Sequence, residues 1–296
     1  MKIKSMTFFK QLFSWVLVAA SIVSGPALAQ KSQALDQTIL AKVEGARIPL
    51  HSKALGFSIN VEIVLPQGYS KDSTAKYPVI FLMDSQWKLM PFMYTYGVLA
   101  YEKKVPQSIV VGINADTNNG PWANNVDQVR SELYTPTQYQ PHAPNSPGGN
   151  ADKLLDFFKV DVIPYLNKNY NTLPDRTLIG SSIGGLFGLY ALLQDEPLFQ
   201  RYVLSSPSVY WGDNYIKQHE ANYFKTHKFL KAKVFMGVGS EELTLEARGF
   251  SNQLITLKYK NLDYQFHHSS LGHVSNDIEI NARGLQFVFA TSLDNQ

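Results

Sequence analysis

The chain has 296 residues, no cysteine, and 27 Lys and Arg against 24 Asp and Glu, which gives a formal net charge of +3. Three of the lysines lie in the first 29 residues, which contain no acid, so residues 30–296 carry 24 basic and 24 acidic side chains and are formally neutral. This balance gives no reason to expect nucleic acid as a partner. The absence of cysteine excludes disulfides, zinc–thiolate sites and a cysteine nucleophile.

Residues 1–29 have the pattern of a secretory signal peptide. Three lysines precede an apolar run over residues 12–23, and Ala27-Leu28-Ala29 then gives the small-x-small sequence that a signal peptidase cleaves. The run is shorter than the roughly 20 residues of a membrane-spanning helix. We therefore predict cleavage after Ala29, an exported periplasmic or secreted protein without stable membrane insertion, and one domain over residues 30–296. An uncleaved N-terminal anchor is the alternative.

Short apolar runs along the rest of the chain predict strands. Residues 58–65 alternate apolar and polar side chains, as a half-buried antiparallel strand does, whereas Tyr77–Met83 is continuously apolar. Further predicted strands are 108–113, 176–180, 201–204, 233–236 and, more weakly, 264–267. Apolar residues at three-to-four spacing predict helices over 152–166, 184–193, 247–258 and 278–289, and residues 114–150 predict a long loop. The alternation indicates an α/β fold, a mostly parallel sheet with helices on both faces.

A candidate nucleophile lies between a predicted strand and a predicted helix. Residues 180–184, Gly-Ser-Ser-Ile-Gly, match G-x-S-x-G, and this motif requires such a strand-to-helix turn. The turn leaves little space for neighbouring side chains, which Gly180 and Gly184 lack. Ser182 is then the predicted nucleophile. The helix N-terminus would place the N–H of Ile183 where an oxyanion develops.

A serine hydroxyl needs a base, and in the α/β-hydrolase fold the acid and then the histidine follow the serine in the chain. His273 lies in a Gly-containing loop after the last predicted strand, at the sheet edge where catalysis occurs in open α/β sheets, and His268 is the alternative. The acid should follow strand 233–236, where Glu241 and Glu242 are adjacent. We favour Glu242 and leave Glu241 open. The second oxyanion donor is predicted at the backbone N–H of Ser85 or Gln86, with Asp84 as a turn-capping carboxylate.

Several segments in order resemble the esterase family that includes enterobactin esterases and esterase D: residues 65–69, 77–84, 111–114, 180–190, 205–211 and 272–275. The resemblance runs from about residue 48 to the C-terminus and implies the α/β-hydrolase fold, with Ser182 as nucleophile, His273 as base and an acid in the loop 239–242. Ser181 stands where the family commonly has histidine or glutamine, and Ser85 where it usually has glycine. Arg130 resembles a family arginine near the active site, which implies either a contact with substrate oxygen or a salt bridge that anchors a loop.

The sequence thus predicts a serine esterase that hydrolyses a small-molecule carboxylic ester through an acyl-enzyme, without metal or organic cofactor. Siderophore lactones, aryl or short acyl esters and acylated carbohydrates are all compatible substrates. Trp122, Tyr210 and Trp211 lie in loops near the expected pocket, where they either pack within the loops or favour an ester that bears an aromatic group. An acyltransferase that uses the same acyl-enzyme is the nearest alternative, and a non-catalytic binding protein on a hydrolase fold is another.

Overall fold

A computed structural model describes residues 45–143, 145–240 and 244–290 of the chain. The predicted signal peptide and its cleavage site lie outside these residues, and so do Glu241 and Glu242. None of the helices within the described ranges combines the length and hydrophobicity that crossing a bilayer requires.

Eight strands within the described residues form a single sheet in the order β1-β2-β4-β3-β5-β6-β7-β8. Their bounds are Gly45–His51 (β1), Ser58–Val64 (β2), Tyr77–Met83 (β3), Ile109–Asn114 (β4), Thr172–Ser181 (β5), Arg201–Ser205 (β6), Phe229–Val238 (β7) and Lys260–His268 (β8). The strands from β4 to β8 in this order pair in parallel, whereas β2 pairs antiparallel with both β1 and β4. The predicted mostly parallel sheet and the predicted antiparallel strand over residues 58–65 are therefore confirmed.

The sequence pattern does not predict β1, which lies at the edge of the sheet. β1 contains Pro49, and proline is tolerated at an edge because no further strand needs its missing N–H. Arg47 lies directly opposite Glu62 of β2, and its Nε and Nη2 donate to Glu62 Oε1 at 2.9 and 2.7 Å. A cross-strand ion pair thus accompanies the backbone ladder at this edge.

Helices cover both faces of the sheet. Their bounds are Ser85–Tyr101 (α1), Val126–Tyr134 (α2), Ala151–Asp156 (α3), Ile163–Asn169 (α4), Ile183–Leu192 (α5), Trp211–Thr226 (α6), Thr244–Leu257 (α7) and Asn276–Phe289 (α8), with a π-helical segment Phe157–Val162 between α3 and α4. The four predicted helices are confirmed, whereas α1, α2 and α6 were not predicted. In α1, apolar side chains occur on the exposed as well as the buried face, and Pro91 lies inside the helix, so its sequence shows no amphipathic period.

The sheet separates two apolar cores because successive side chains of a strand point to opposite faces. Phe81 and Leu178 face the core formed with α2 to α7, where Phe81 packs against Phe158 and Phe199 with ring centroids 5.3 and 5.6 Å apart. Ile80, Leu82 and Val203 are among the residues that face the smaller core beneath α1 and α8. The carboxyl ends of the parallel strands all lie at one edge of the sheet. Helices α1, α5 and α8 begin at this edge.

Two helical glycines provide a test of this packing. A Cβ on Gly284 of α8 would lie 2.4 Å from Cγ1 of Val203 in β6, whereas a Cβ on Gly97 of α1 would meet no atom within 4 Å. We expect Gly284→Ala to lower the free energy of unfolding by about 1–3 kcal/mol through overpacking. The matched control Gly97→Ala should raise it by about 0.5–1 kcal/mol, because alanine restricts the unfolded chain. Urea denaturation of both variants measures these changes. A Gly284→Ala variant as stable as wild type would contradict the close approach of α8 to the sheet.

Candidate active site

The chain turns sharply at Ser182, between the end of β5 and the start of α5. Ser182 has φ 57° and ψ −121°, a conformation that costs a non-glycine residue on the order of 1–3 kcal/mol. Its N–H donates to the Ser205 carbonyl at 2.9 Å, and its own carbonyl accepts from the N–H of Ser208 at 3.1 Å. These two bonds, one to the last residue of β6 and one to the segment after it, hold the backbone of Ser182 in this conformation.

The neighbouring glycines give the turn the space that the sequence pattern predicts. A Cβ on Gly180 would lie 2.2 Å from the carbonyl oxygen of Gly184, and a Cβ on Gly184 would lie 3.2 Å from Cβ of Met83. The half-buried Ser182 side chain lies 3.3 Å, Oγ to Oγ, from the buried hydroxyl of Ser208. The sequence analysis did not identify Ser208, because no local pattern marks a residue 26 positions from the motif as its neighbour.

The two predicted oxyanion donors each begin a helix. Ile183 is the first residue of α5, and Ser85 is the first residue of α1. The first N–H groups of a helix have no intrahelical acceptor and lie at the positive end of its dipole. The turn before Ser85 contacts the turn at Ser182, because a Cβ on Gly184 would lie 3.4 Å from Asp84 Oδ2. The fold therefore brings both helix starts to one place. Ser85 is buried, and its side chain lies against Gly112 of β4, where a Cβ would approach Ser85 Cβ to 2.4 Å.

Asp84 and Arg130 form a buried ion pair beside this turn. Arg130 donates from Nε to Asp84 Oδ1 at 2.7 Å and from Nη2 to Oδ2 at 2.8 Å, and the Asp84 side chain is 1% exposed. The prediction that Asp84 caps the turn is wrong, since its side chain makes no capping bond to α1 and binds Arg130 instead. This ion pair corresponds to the anchoring salt bridge, one of the two roles that the sequence analysis gave Arg130. A substrate contact of Arg130 stays a prediction.

Burial and the ion pair together shift the pKa values of Arg130 and Tyr134. Burial lowers the pKa of Arg130, but the hydrogen bonds and charge of Asp84 outweigh it and place that pKa above its ordinary value. Burial, together with the nearby Asp84 charge, raises the pKa of Tyr134 well above its usual range. The Arg130 guanidinium also lies 5.1 Å from the ring centre of Trp87, a half-exposed residue that the sequence analysis did not identify. Trp87 therefore presents an aromatic surface close to the predicted oxyanion donors.

His273 lies in the loop between β8 and α8, and its side chain is exposed. The loop begins at buried Ser269, whose N–H donates to the Val238 carbonyl at 2.8 Å and whose Oγ donates to Glu279 Oε2 at 2.6 Å. The loop ends at buried Asn276, whose N–H donates to the Gly272 carbonyl at 3.0 Å. Asn276 Oδ1 also accepts from Ser205 Oγ of β6 at 2.8 Å, so both ends of the segment that carries His273 are bonded to other elements of the fold.

Glu279 of α8 joins several partners near this loop. The bond from Ser269 is the largest cause that lowers the pKa of Glu279 to about 2, and bonds from Arg283 and His267 contribute to the same shift. His267 Nε2 lies 3.0 Å from Glu279 Oε1, so His267 faces the helix layer. His268, the alternative base, is an exposed residue at the end of edge strand β8.

The predicted acids lie outside the described residues, but the residue before them is described. Ser240 donates its N–H to the Leu271 carbonyl at 2.9 Å, two residues before His273. The loop that leads to Glu241 is thus bonded to the loop that carries His273. The described residues contain no group of three or more His, Asp or Glu side chains with the arrangement of a metal site.

The predicted aromatic residues occupy different environments. Trp211 is 7% exposed, donates from Nε1 to the Thr137 carbonyl at 2.7 Å and packs against Tyr139 with ring centroids 4.9 Å apart. Trp122 packs edge-to-face on Phe57, with ring centroids 6.0 Å apart. Tyr210 is 39% exposed. A role of Trp211 in substrate binding stays a prediction, because the contacts that the structure gives it are packing contacts.

Comparisons with known proteins agree with this fold. The chain is 26% identical over 242 residues to the ferri-bacillibactin esterase BesA of Bacillus subtilis (strain 168), which covers 74% of this chain and 82% of that protein. The crystal structure of an IroE-like serine hydrolase from Shewanella oneidensis has a TM-score of 0.73 at 23% identity, over 84% of this chain and 82% of that one. The structure of the BES protein from Bacillus cereus has a TM-score of 0.69 at 26% identity, over 84% and 96% of the two chains.

The sequence profile of the family described as "Putative esterase" matches residues 52–273, about three quarters of the chain. This match includes Ser182, His273 and the turns that position them. The chain belongs to this family and is a serine esterase with the α/β-hydrolase fold.

Proposed function

We propose that the protein hydrolyses a small-molecule carboxylic ester through an acyl-enzyme on Ser182, with His273 as base and Glu242 as the acid that orients it. The observation that carries this proposal is the backbone of Ser182, a non-glycine residue held at φ 57° between a parallel strand and a helix start. The half-buried hydroxyl of this serine lies at the carboxyl edge of the sheet. The adjacent N–H groups of Ile183 and Ser85 would face an oxyanion formed there.

The reaction has two steps. Ser182 Oγ attacks the ester carbonyl carbon while His273 takes its proton, and the oxyanion of the tetrahedral intermediate accepts hydrogen bonds from the two backbone N–H groups. When the intermediate collapses, the C–O bond to the alcohol breaks and His273 returns the proton to the departing oxygen. A water molecule, deprotonated by His273, then attacks the acyl carbonyl carbon and forms a second tetrahedral intermediate. When this intermediate collapses, the bond from the carbon to Ser182 Oγ breaks, His273 returns the proton to Oγ, and the carboxylic acid is released.

A siderophore ester is the substrate class that we propose. The relative from Bacillus subtilis is a ferri-bacillibactin esterase. Trp87 is 51% exposed and lies beside Arg130, so an aromatic group of a substrate could stack close to the reacting centre. Trp87 and Lys88 also line a recess of about 260 Å³, together with Val274, the residue that follows His273 in the chain. We further propose that the protein is exported, with Gln30 as the first residue of the mature chain.

The central test removes the nucleophile and the base separately and together. We expect Ser182→Ala and His273→Ala each to lower kcat by about 10⁴- to 10⁶-fold, with the double variant no slower than either, because the two groups act as a unit. The circular dichroism spectra should stay those of wild type. His268→Ala is the matched control and should retain activity. Substantial ester hydrolysis by Ser182→Ala would falsify the mechanism, and an active His273→Ala beside an inactive Ser182→Ala would move the base to His268.

The acid is tested by comparing its two adjacent candidates. Glu242→Gln should lower kcat by about 10²- to 10⁴-fold, because an amide cannot stabilise the imidazolium that forms on the histidine. Glu241→Gln, which makes the same chemical change one residue away, should leave kcat unchanged. Steady-state kinetics with an aryl ester measures both. The reverse ranking would assign the acid to Glu241.

The role of Arg130 is tested through the charge that it neutralises. Arg130→Met should lower the free energy of unfolding by about 3–5 kcal/mol, because Asp84 is left buried without its cation. Asp84→Asn in the same chain removes that charge and should recover part of the loss. If Arg130 only anchors the turn, KM should return toward wild type in the double variant together with stability. A double variant that regains stability while KM stays high would indicate a substrate contact.

A further inference from the structure

A buried side-chain amide connects the helix after His273 to the strand next to the nucleophile. Asn276 is the first residue of α8, three positions after His273, and it is fully buried. Its Oδ1 accepts from Ser205 Oγ at 2.8 Å, and its Nδ2 donates to Ser206 Oγ at 2.8 Å. Ser205 and Ser206 are also buried, at the carboxyl end of β6. The Asn276 amide therefore bonds to both serines in a site that water does not reach.

The two serines contact the other parts of the proposed active site through their backbone. The Ser205 carbonyl accepts the N–H of Ser182 at 2.9 Å, and the Ser206 N–H donates to the Gly237 carbonyl at 2.7 Å. Ser206 has φ 46°, a positive value, and the chain turns there. Its N–H bonds to Gly237, whereas its hydroxyl bonds to Asn276. One pair of residues thus bonds to the nucleophile turn, to the strand that leads to the predicted acids, and to the helix that follows the base.

The loop that carries His273 has little packing of its own. Leu271, His273 and Val274 are exposed, so apolar burial contributes little to the position of this loop. The Asn276 N–H bonds to the Gly272 carbonyl at 3.0 Å, so residues 272–276 form one closed turn around His273. Hydrogen bonds in a buried, low-dielectric site are directional and are costly to leave unmade. The Asn276 amide therefore fixes where this turn lies relative to β6.

We propose that Asn276 is a positioning residue of the esterase, which holds His273 at the correct distance and orientation from Ser182 through Ser205 and Ser206. This inference rests on the proposed function, in which His273 is the base. Asn276 itself contacts neither substrate nor the reacting atoms in this role, and it acts through His273. A displacement of the base by about 1 Å can cost on the order of 100-fold in rate.

The experiment compares Asn276→Ala with Gln286→Ala, which removes an exposed amide of the same helix that donates to the Ala282 carbonyl one turn earlier. Asn276→Ala should lower kcat by about 10- to 100-fold with KM nearly unchanged, because substrate contacts remain and the base is misplaced. Gln286→Ala should keep wild-type kcat. If Asn276→Ala does not fold, Ser205→Ala replaces it, because this change removes one of the two bonds and disturbs the core less. Ser205→Ala should lower kcat by a smaller factor, again with KM nearly unchanged.

The decisive comparison is the double variant with the base. If Asn276 acts through His273, Asn276→Ala should slow the His273→Ala enzyme no further, whereas a general structural role would lower the residual activity again. A further loss in that background, or a wild-type kcat for Asn276→Ala, would overturn the proposal.

Amide hydrogen exchange separates this inference from the proposed function, because it needs no activity. Residues 269–276 should exchange faster in Asn276→Ala than in Gln286→Ala, while β5 and β6 keep their protection. Unchanged exchange in this segment would overturn the proposal. If the segment loosens but the wild-type protein hydrolyses no ester, the proposed function fails and the anchoring of the loop by Asn276 stands.

Discussion

The candidate site depends first on the backbone conformation of Ser182. A serine at φ 57° and ψ −121° is unfavourable by itself, and it is maintained here because its N–H bonds to the end of β6 and its carbonyl to the segment that follows. The same turn needs Gly180 and Gly184, since a Cβ at either position would meet backbone or side-chain atoms of the neighbouring turns. The position of the hydroxyl therefore follows from close packing between three adjacent parallel strands.

A second turn with a positive φ lies beside it. Asp84 has φ 60° and ψ 38°, and α1 begins immediately after it with Ser85. Here the unusual conformation is accompanied by a bidentate ion pair with Arg130 rather than by backbone bonds to a neighbouring strand. A buried pair of this kind adds little net stability compared with apolar residues, but it is costly to break, so it fixes a single arrangement of the turn. Both helix starts at the proposed oxyanion site are thus held from outside their own helices.

Buried polar side chains bind the His273 loop to the rest of the fold at this end of the sheet, whereas both cores are apolar. Ser269 and Asn276 bind the two ends of the His273 loop through different partners, Glu279 for one and the serines after β6 for the other. Burying polar groups is unfavourable unless each finds a partner. Such a network defines positions more sharply than apolar contacts do, because a hydrogen bond fails with a small error in distance or angle. Hydrogen bonds at both ends therefore hold the exposed loop that carries His273, the proposed base.

The sequence by itself determined the mostly parallel sheet, the positions of its apolar strands along the chain and the turn at Ser182, because continuous apolar runs and closely spaced glycines are local signals. It missed α1, whose exposed face is also apolar, and edge strand β1, which contains a proline. Only the tertiary structure paired Asp84 with Arg130 across 46 residues and Asn276 with Ser205 across 71. No local pattern encodes such pairs, since each partner looks like an ordinary polar residue until the sheet and its helices bring the two together and exclude water from both.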